Sequence, residues 1–416
     1  MSDKTYATSD TIQCWEDINF QTAKDCVKKL QWRIVKAYQH DDIRKMSSLQ
    51  HRMIHSFYAK ALAVKIVTST DGSNTAGVDG TLWQTSEDKW NAIFTLGARG
   101  YFPTPLKRIY IDKPNGKKRP LSIPSIKDRA MQTLYKFALE PIAEATADAH
   151  SYGFRSGRST RDAVVRCIEI LSEDLSFEWI LKCDIKSCFD NIYHEWISEN
   201  IPMDKTVLRK FLKCGYVDNR HYFPTERGIP QGGCLSSVIC NMTLDGLESV
   251  LIDNFQSAVH FVRYADDFIV VGSDKKFLEE SVVSVIDKFL SIRGLQLSAE
   301  KTSVVHIDDG FNFLGFCMQR FNNELIVVPS RNNIDSLIDK VASLTKAYLP
   351  DLSDEFYKTL RQIVIGWLNY YKDVVLPMSL YDVRNVMYST LWELTNDINL
   401  TEIDNSSFCH IKVTAV

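Results

Sequence analysis

The length, composition and charge of this chain are those of an ordinary globular protein. It has 416 residues, 45% hydrophobic and 24% charged, enough for two or three domains or subdomains around a large core. No run approaches 18 apolar residues and the N-terminus lacks a signal peptide's apolar segment, so we expect a cytoplasmic protein without membrane contact. The ten cysteines include no Cys-x-x-Cys pair, which argues against a zinc site or a disulfide scaffold.

The net charge of −3 predicts nothing about nucleic-acid binding by the whole chain, but the charge is unevenly distributed. Residues 101–162 contain 12 Lys and Arg against 6 Asp and Glu. A local excess of this kind is either a phosphate-contacting face or a solvated surface.

The first third of the chain is predicted to be helical and then to form a hairpin. Apolar residues at three- and four-residue spacing predict two or three amphipathic helices over residues 17–66, and a Gly/Asn/Asp loop at 68–80 marks a boundary. Residues 107–113 and 118–124 are predicted to be two strands joined by a turn, with Lys and Arg at intervals. This basic hairpin suits a triphosphate or a template backbone, because ammonium and guanidinium groups are strong phosphate donors.

The middle of the chain has a helix over 126–145, a Gly/Arg loop at 151–159 and a second helix from about 160 to 171. Backbone N–H groups of the loop, with Arg155 and Arg158, could bind phosphates. An apolar strand over 179–185 then carries Asp184 near its end. An acid inside an apolar strand is costly unless it is neutralised.

Two further acids occupy the motif Tyr264-Ala265-Asp266-Asp267, here called the acidic turn. Apolar, β-branched segments flank it on both sides and predict two strands joined by a tight turn, with the carboxylates at its tip. Adjacent carboxylates repel, and a hard divalent cation such as Mg²⁺ or Mn²⁺ is their natural partner. A surface turn that uses Asp for its turn chemistry is the alternative. A cation shared with Asp184 would neutralise all these acids, as two-metal polymerase chemistry requires.

The remaining elements are a Gly-rich segment at 228–236, helices over 235–252 and 276–293, a strand through residues 304–305, a short strand at 311–316, and helices from about 331 to 398. The last region includes an aromatic cluster at 366–371, which we interpret as packing between helices rather than base stacking.

The order of these motifs resembles the reverse transcriptase family, specifically the bacterial group II intron-type lineage. The resemblance extends from about residue 15 to 395, and the segments at 75–80, 151–155 and 366–371 look like that lineage rather than retroviral enzymes. It implies an α+β right-hand polymerase with an N-terminal helical extension (1–80), fingers (81–165), a palm with an antiparallel sheet (166–330) and an α-helical thumb with a short tail (331–416).

The resemblance also implies roles for individual residues. Asp184 and Asp266 would bind two Mg²⁺ ions, for which Mn²⁺ is a substitute, with Asp267 in support and the Ile185 carbonyl completing one shell. Phe189 matches the position that excludes a sugar 2′-hydroxyl, and Lys301 matches a lysine proposed to protonate pyrophosphate. The resemblance implies that Lys113 and Arg119 contact the triphosphate, assisted by Lys107 or Arg108. It implies that Gln231 and Gly232 line the base pair being formed. The implied nucleic-acid contacts are Arg155, Arg158 and Tyr264.

We therefore expect an RNA-directed DNA polymerase that binds an RNA template, deoxynucleotides and its DNA product. The sequence departs from the lineage in three respects. Ser237 stands where Pro is usual, and the sequence ends at Val416 without the expected DNA-binding or endonuclease region. The net charge is −3, whereas members of the lineage are strongly basic. These departures favour a stand-alone enzyme copying a dedicated non-coding RNA, a role found in bacterial anti-phage defence. The alternatives are an intron-encoded maturase and an RNA-dependent RNA polymerase, which Phe189 disfavours. The primer and the oligomeric state stay open.

Overall fold

A computed structural model of the chain describes residues 12–112, 116, 118–349 and 352–395. Lys113, one of the predicted triphosphate contacts, lies outside these residues, as does the end of the predicted helical region beyond residue 395.

The predicted helices and strands occur in the predicted order, and further elements that were not predicted lie within residues 86–95, 194–223 and 324–329. The α-helices are α1 (Phe20–Gln39), α2 (Ile43–His55), α3 (Phe57–Ser69), α4 (Ser86–Thr95), α5 (Ile126–Thr146), α6 (Thr160–Glu173), α7 (Cys188–Asn191), α8 (His194–Asn200), α9 (Lys205–Leu212), α10 (Cys234–Leu244), α11 (Leu247–Phe255), α12 (Lys275–Phe277), α13 (Val283–Ser291), α14 (Arg331–Tyr348), α15 (Asp354–Tyr371) and α16 (Pro377–Thr395). The strands are β1 (Leu106–Asp112), β2 (Lys118–Ile123), β3 (Trp179–Asp184), β4 (Tyr216–Asp218), β5 (His221–Phe223), β6 (Val259–Tyr264), β7 (Asp267–Gly272), β8 (Ser303–His306), β9 (Phe311–Phe313), β10 (Phe316–Phe321) and β11 (Glu324–Pro329).

The N-terminal helices begin at polar caps. Side-chain oxygens of Asn19, Asp42 and Ser56 accept hydrogen bonds from backbone N–H groups in the first turns of α1, α2 and α3. Such bonds satisfy donors that have no partner within the helix, and they fix where each helix begins. The prediction of two or three amphipathic helices over residues 17–66 is confirmed.

The chain divides into two compact units, each built from separated segments. Unit 1 comprises the chain up to Ala149, Ile185–Val250 and Val285–Ser298. Unit 2 comprises His150–Asp184, Leu251–Ser284 and the chain from Ala299 onward. The predicted palm, residues 166–330, has segments in both units, and the predicted boundaries of fingers, palm and thumb stay a prediction.

Unit 1 combines helices with one small sheet, in the strand order β2-β1-β4-β5. The antiparallel pair β1–β2 is the predicted basic hairpin, in register from Lys107 opposite Ile123 to Asp112 opposite Lys118. Strand β1 pairs with β4 in parallel, and β4 with β5 in an antiparallel hairpin.

Unit 2 contains the strand order β6-β7-β3-β8, with every neighbouring pair antiparallel. Val270 and Ile180 of this sheet are completely buried, and the core continues through α6 to helices α14, α15 and α16. A second sheet, β11-β10-β9, completes the unit. These apolar strands, buried on both faces, explain why the sequence shows continuous apolar runs rather than alternation.

The segment at 311–316 differs from its prediction as one short strand. It forms two strands, β9 and β10, because Leu314 and Gly315 turn the chain with φ values of +48° and +82°. The hydroxyl of Tyr371 donates to the Gly315 carbonyl at 3.0 Å, and that of Tyr370 donates to the Leu314 carbonyl at 2.8 Å. Tyr371 is only 1% exposed and packs inside the protein as predicted, whereas Tyr370 of the same cluster is 39% exposed.

The predicted helix over 235–252 is interrupted between α10 and α11. Gly246 has a φ of +92°, and its N–H donates to the Asp148 carboxylate at 2.9 Å. The stretch Cys234–Ala258 has the length and apolar composition to cross a membrane, unlike any other helix in the described ranges. Its most apolar window is 61% buried inside the protein.

Candidate active site

Two predicted metal ligands meet across neighbouring strands of unit 2. Strand β3 pairs with β7 in a register that puts Asp184 directly opposite Asp267. Opposed residues of an antiparallel pair point to the same face, with their Cβ atoms about 4.5–5.5 Å apart. Two acids that are far apart in sequence therefore share one end of one sheet.

The acidic turn is the predicted hairpin. Tyr264 pairs with Asp267, so Ala265 and Asp266 form a two-residue connection between β6 and β7. Ala265 has a positive φ of +59°, whereas the φ of Asp266 is not positive. A positive φ at the first of the two connecting residues only is typical of a type II′ turn. Asp266 consequently stands at the tip, and Asp267 is the first residue of β7.

The electrostatics of this end of the sheet show excess negative charge. Asp267 keeps solvent access, yet desolvation by the surrounding protein, followed by the carboxylates of Asp266 and Asp184, raises its pKa from an ordinary 3.8 to about 6. Lys182 and Lys301 oppose this rise. The Lys301 ammonium lies 3.1 Å from each carboxylate oxygen of Asp184. The acids are thus partly neutralised by lysine.

The same residues fit a hard divalent cation, because their donors are carboxylate oxygens, and because desolvation and then the neighbouring carboxylates raise the pKa of Asp267. Within the described ranges, no three His, Cys, Asp or Glu side chains are already arranged to hold a metal ion. A cation that binds Asp184 must therefore compete with the Lys301 ammonium.

Replacing Asp267 with Asn should stabilise the metal-free protein at neutral pH. The folded-state pKa of Asp267 is raised, so its contribution to stability is complete below about pH 3.8 and is lost as the pH rises through about 6. In EDTA, we expect the variant to melt a few degrees above wild type at pH 7–8 and at the same temperature near pH 4. Thermal melts over this pH range test the prediction, with the exposed Asp309→Asn as control. A pH-independent difference would contradict it.

The sequence analysis did not predict that residues 151–153 of the Gly/Arg loop pack against the acidic turn. Ser151 forms a bridge with Arg263 of β6, and the Tyr152 N–H donates to the Arg263 carbonyl at 2.9 Å. Gly153 then lies so close to the turn that an added Cβ would stand 2.9 Å from the Tyr264 carbonyl carbon and closer still to the Ala265 nitrogen. The Gly/Arg loop is therefore packed directly against the turn.

Arg263 is the second missed residue, and its side chain is completely buried. Its guanidinium donates to the Ala265 carbonyl at 3.4 Å, inside the acidic turn. The signal in the sequence is an Arg between Val262 and Tyr264 in a strand that is mostly apolar.

The predicted nucleic-acid contacts of unit 2 differ in their surroundings. Arg155 is half-buried and donates to the Ser151 carbonyl at 2.6 Å, so part of its guanidinium closes its own loop. Arg158 is exposed, and Tyr264 is half-buried at the end of β6. Their contact with nucleic acid stays a prediction.

Several predicted nucleotide contacts converge in unit 1. The Gln231 carbonyl accepts from the Ser122 N–H of β2 at 2.8 Å, and its side-chain oxygen accepts from Arg119 at 3.4 Å. At Gly232, with a φ of +119°, a Cβ would stand 2.6 Å from the Ser122 carbonyl oxygen. The Gly-rich segment is therefore packed on the basic hairpin.

The two cations proposed to assist at the triphosphate, Lys107 and Arg108, point to opposite faces of the basic hairpin. Side chains alternate along a strand, so Lys107 shares its face with Ile111 and with Arg119, the partner of Ile111. Arg108 points the other way and lies 3.9 Å over the Tyr216 ring. Arg108 therefore does not share the face of Arg119, and its assistance at the triphosphate stays a prediction.

Phe189 and Ile185 also belong to unit 1. The Phe189 carbonyl accepts from the Ile229 N–H at 2.6 Å, which joins α7 to the Gly-rich segment. Ile185, directly after Asp184, is buried and forms a bridge with Leu297. Unit 1 thus joins Phe189 to the Gly-rich segment by a backbone hydrogen bond, and joins Gln231 of that segment to Arg119 by a side-chain hydrogen bond.

A sheet with paired acids at its end, a Gly-rich segment packed on a basic hairpin, and a helical C-terminal region define an α+β right-hand polymerase, as predicted. Residues 111–318 match the family described as reverse transcriptase (RNA-dependent DNA polymerase), and residues 15–96 match the N-terminal domain of reverse transcriptase. The chain belongs to the reverse transcriptase family, and the predicted enzyme class, RNA-directed DNA polymerase, is confirmed at the level of this family.

Among similar proteins is Protein YkfC of Escherichia coli, 30% identical over 303 residues, which cover 61% of this chain and 78% of YkfC. Group II intron-encoded protein LtrA of Lactococcus lactis is 29% identical over 328 residues, 61% of this chain and 54% of LtrA. Maturase-like protein 1 of Euglena gracilis is 25% identical, with 87% of this chain and 76% of that protein covered. The chain thus spans about half the length of LtrA.

Solved structures similar to this chain include telomerase from Candida tropicalis in complex with a TWJ fragment of telomeric RNA. The TM-score is 0.44 at 15% identity, over 72% of this chain and 60% of that chain. The Candida albicans telomerase complex gives a TM-score of 0.43 at 16% identity, over 73% and 60%.

Proposed function

We propose that this chain synthesises DNA on an RNA template by two-metal phosphoryl transfer at Asp184, Asp266 and Asp267. The observation that supports this site best is the register that sets Asp184 opposite Asp267 beside the acidic turn. Two divalent ions, when bound, would activate the primer hydroxyl and neutralise charge on the leaving pyrophosphate. The three carboxylates would hold these ions, with the Ile185 carbonyl completing one shell.

The other proposed roles concern the incoming nucleotide. Arg119, Lys107 and Lys113 bind the triphosphate, while Gln231 and Gly232 line the new base pair. Lys301 gives a proton to pyrophosphate, and its position beside Asp184 supports this role. The ammonium of Lys301 is exposed, and it would be available as a proton donor if Asp184 held a cation instead.

The test is primer extension on an RNA template with deoxynucleotides and Mg²⁺, by the full chain. Extension that depends on Mg²⁺ and on an RNA template supports the proposal, and its absence with every primed template would overturn it. We further propose that the natural template is a dedicated structured non-coding RNA, with a role in anti-phage defence. Sequencing the nucleic acid that co-purifies with wild type and with Asp266→Ala tests this point.

A second candidate is a maturase that acts in intron splicing and mobility, because relatives of this chain are an intron-encoded protein and a maturase-like protein. The two functions separate when the metal ligands are removed. Splicing of a neighbouring intron that survives Asp266→Ala combined with Asp267→Ala would favour the maturase, and the absence of any intron RNA near the gene would count against it.

Replacing Phe189 with Ala should admit ribonucleotides. The bulky ring leaves no room for a 2′-hydroxyl, and a methyl group removes that barrier. We expect discrimination between deoxynucleotides and ribonucleotides to fall at least tenfold, about 1.4 kcal/mol in relative barrier height, in single-nucleotide kcat/KM measurements. Phe189→Tyr, which keeps the ring, is the matched control. Unchanged sugar selectivity in Phe189→Ala would contradict the assignment.

A further inference from the structure

The small sheet of unit 1 carries a ladder of stacked side chains across its strands. The Arg108 guanidinium of β1 lies 3.9 Å over the ring of Tyr216 in β4. The Tyr216 ring stacks on Phe223 of β5, with centroids 5.2 Å apart and planes 17° from parallel. Tyr216 and Phe223 are directly opposed in the β4–β5 register, so both belong to the same face of the sheet.

The ladder ends at an open aromatic ring. Strand β5 is the last strand of its sheet, so within the part of the chain that the structure describes no strand covers the side of Phe223 remote from Tyr216. Phe223 is 42% exposed, and Tyr110 on the same sheet is 50% exposed. An aromatic ring already stacked on one side, with its other side in solvent, is suited to stacking a further planar group.

The surroundings favour a polyanionic ligand over an apolar one. Exposed cations flank the β4–β5 hairpin at Lys213, Arg220 and Arg227, against one exposed acid between them, Glu226. The Asp218 carboxylate of the hairpin accepts a hydrogen bond from the Tyr110 hydroxyl at 2.7 Å. Aromatic rings interleaved with cations match the bases and phosphates of a single strand.

Arg220 is also in an unusual place. Asn219 and Arg220 connect β4 to β5 with φ values of +48° and +68°, as in a type I′ turn. Glycine is strongly preferred at the second position of this turn, because a side chain there is strained. The chain instead puts a guanidinium at this exposed tip.

We propose that the open edge of this sheet, centred on Phe223 with Arg220, is a base-stacking site for single-stranded RNA. The Phe223 ring stacks an unpaired base, and Arg220 contacts a phosphate. This inference rests on the proposed function, since it takes the unpaired part of the RNA template as its ligand.

The first experiment titrates the full chain with a labelled single-stranded RNA of about 12 nucleotides. Phe223→Ala should weaken binding about tenfold, while Phe223→Trp should keep the affinity and show quenched fluorescence on binding. The matched control is Tyr222→Ala, equally aromatic and 55% exposed, but directed to the opposite face of the same strand. It should change the affinity less than twofold. Equal affinity of Phe223→Ala and wild type, or equal losses in both Ala variants, would overturn the proposal.

The second experiment separates ligand contact from folding. Arg220→Gly relieves the strained turn, so the melting temperature of the variant should equal or exceed that of wild type. Its RNA affinity should fall, and the salt dependence of RNA binding should decrease by the equivalent of about one phosphate contact. A merely structural Arg220 would leave the salt dependence unchanged, and this result would overturn its role.

Primer extension distinguishes failure of this inference from failure of the proposed function. If wild type extends primers but single-stranded RNA binding does not depend on Phe223, the stacking site is wrong and the polymerase stands. If wild type extends no primer, the proposed function fails first. A dimer in sedimentation analysis that Phe223→Ala dissociates, with RNA affinity unchanged, would show a protein interface instead.

Discussion

Asp184→Asn should reduce primer extension at least a thousandfold, about 4 kcal/mol in transition-state stabilisation, while leaving RNA affinity intact. Asp184 is directly opposite Asp267 in the β3–β7 register, so removing its charge removes a metal ligand without removing its volume. Steady-state extension at saturating deoxynucleotide measures the loss, and anisotropy with labelled RNA measures binding.

Two comparisons keep this prediction specific to the site. Asp309→Asn, an exposed acid of the same unit, should extend primers like wild type. Because Lys301 lies 3.1 Å from the Asp184 oxygens, Asp184→Asn also removes an ion pair between exposed groups, whose contribution to stability is small. The melting temperature should therefore change little. Residual extension above a tenth of wild type would contradict the assignment of Asp184.

Gly153→Ala should be nearly as damaging, although Gly153 carries no side chain for chemistry. A Cβ there would stand 2.9 Å from the Tyr264 carbonyl carbon and 3.1 Å from the Ala265 Cα, so the acidic turn must move. Displacement of reacting groups by about 1 Å can cost about a hundredfold in rate. We expect kcat to fall to this extent, with about 1–3 kcal/mol of lost stability from overpacking.

The matched control for this substitution is Gly366→Ala. Gly366 lies inside α15, and a Cβ added there meets nothing within 4 Å. Ala in a helix interior is more favourable than Gly by about 0.5–1 kcal/mol, so this variant should melt higher and extend primers normally. A Gly153→Ala protein with wild-type kcat would show that the Gly/Arg loop does not position the turn.

Local pattern was enough to predict the acidic turn. Apolar strands on both sides of Asp266 and Asp267 left a hairpin as the simplest interpretation, and the structure has that hairpin in the β6–β7 register. The N-terminal helices were predictable for a similar reason, because their apolar spacing and polar caps are both local features.

What local pattern could not predict was which distant backbone each residue meets. The constraint on Gly153 comes from the Tyr264–Ala265 peptide, and the break at Gly246 comes with a hydrogen bond to Asp148. Alternation along β6 gives no reason to bury Arg263 fully, since its partner is a carbonyl of the turn itself. Arg108 reads as one more phosphate contact until the strand register turns it toward Tyr216.

The interleaving of the two units has a consequence for how the protein is made on the ribosome. The chain passes between them five times, after Ala149, Asp184, Val250, Ser284 and Ser298. Unit 1 cannot fold completely until its last segment, which ends at Ser298, has emerged from the ribosome. Unit 2 cannot fold completely until α14–α16 have also been synthesised, because these helices belong to its core. Domains that are continuous in sequence can fold one after another during synthesis. In this chain, both units must instead remain incompletely folded at the same time. We therefore expect a nascent chain that is stalled before Ser298 to bind chaperones and to be sensitive to proteases.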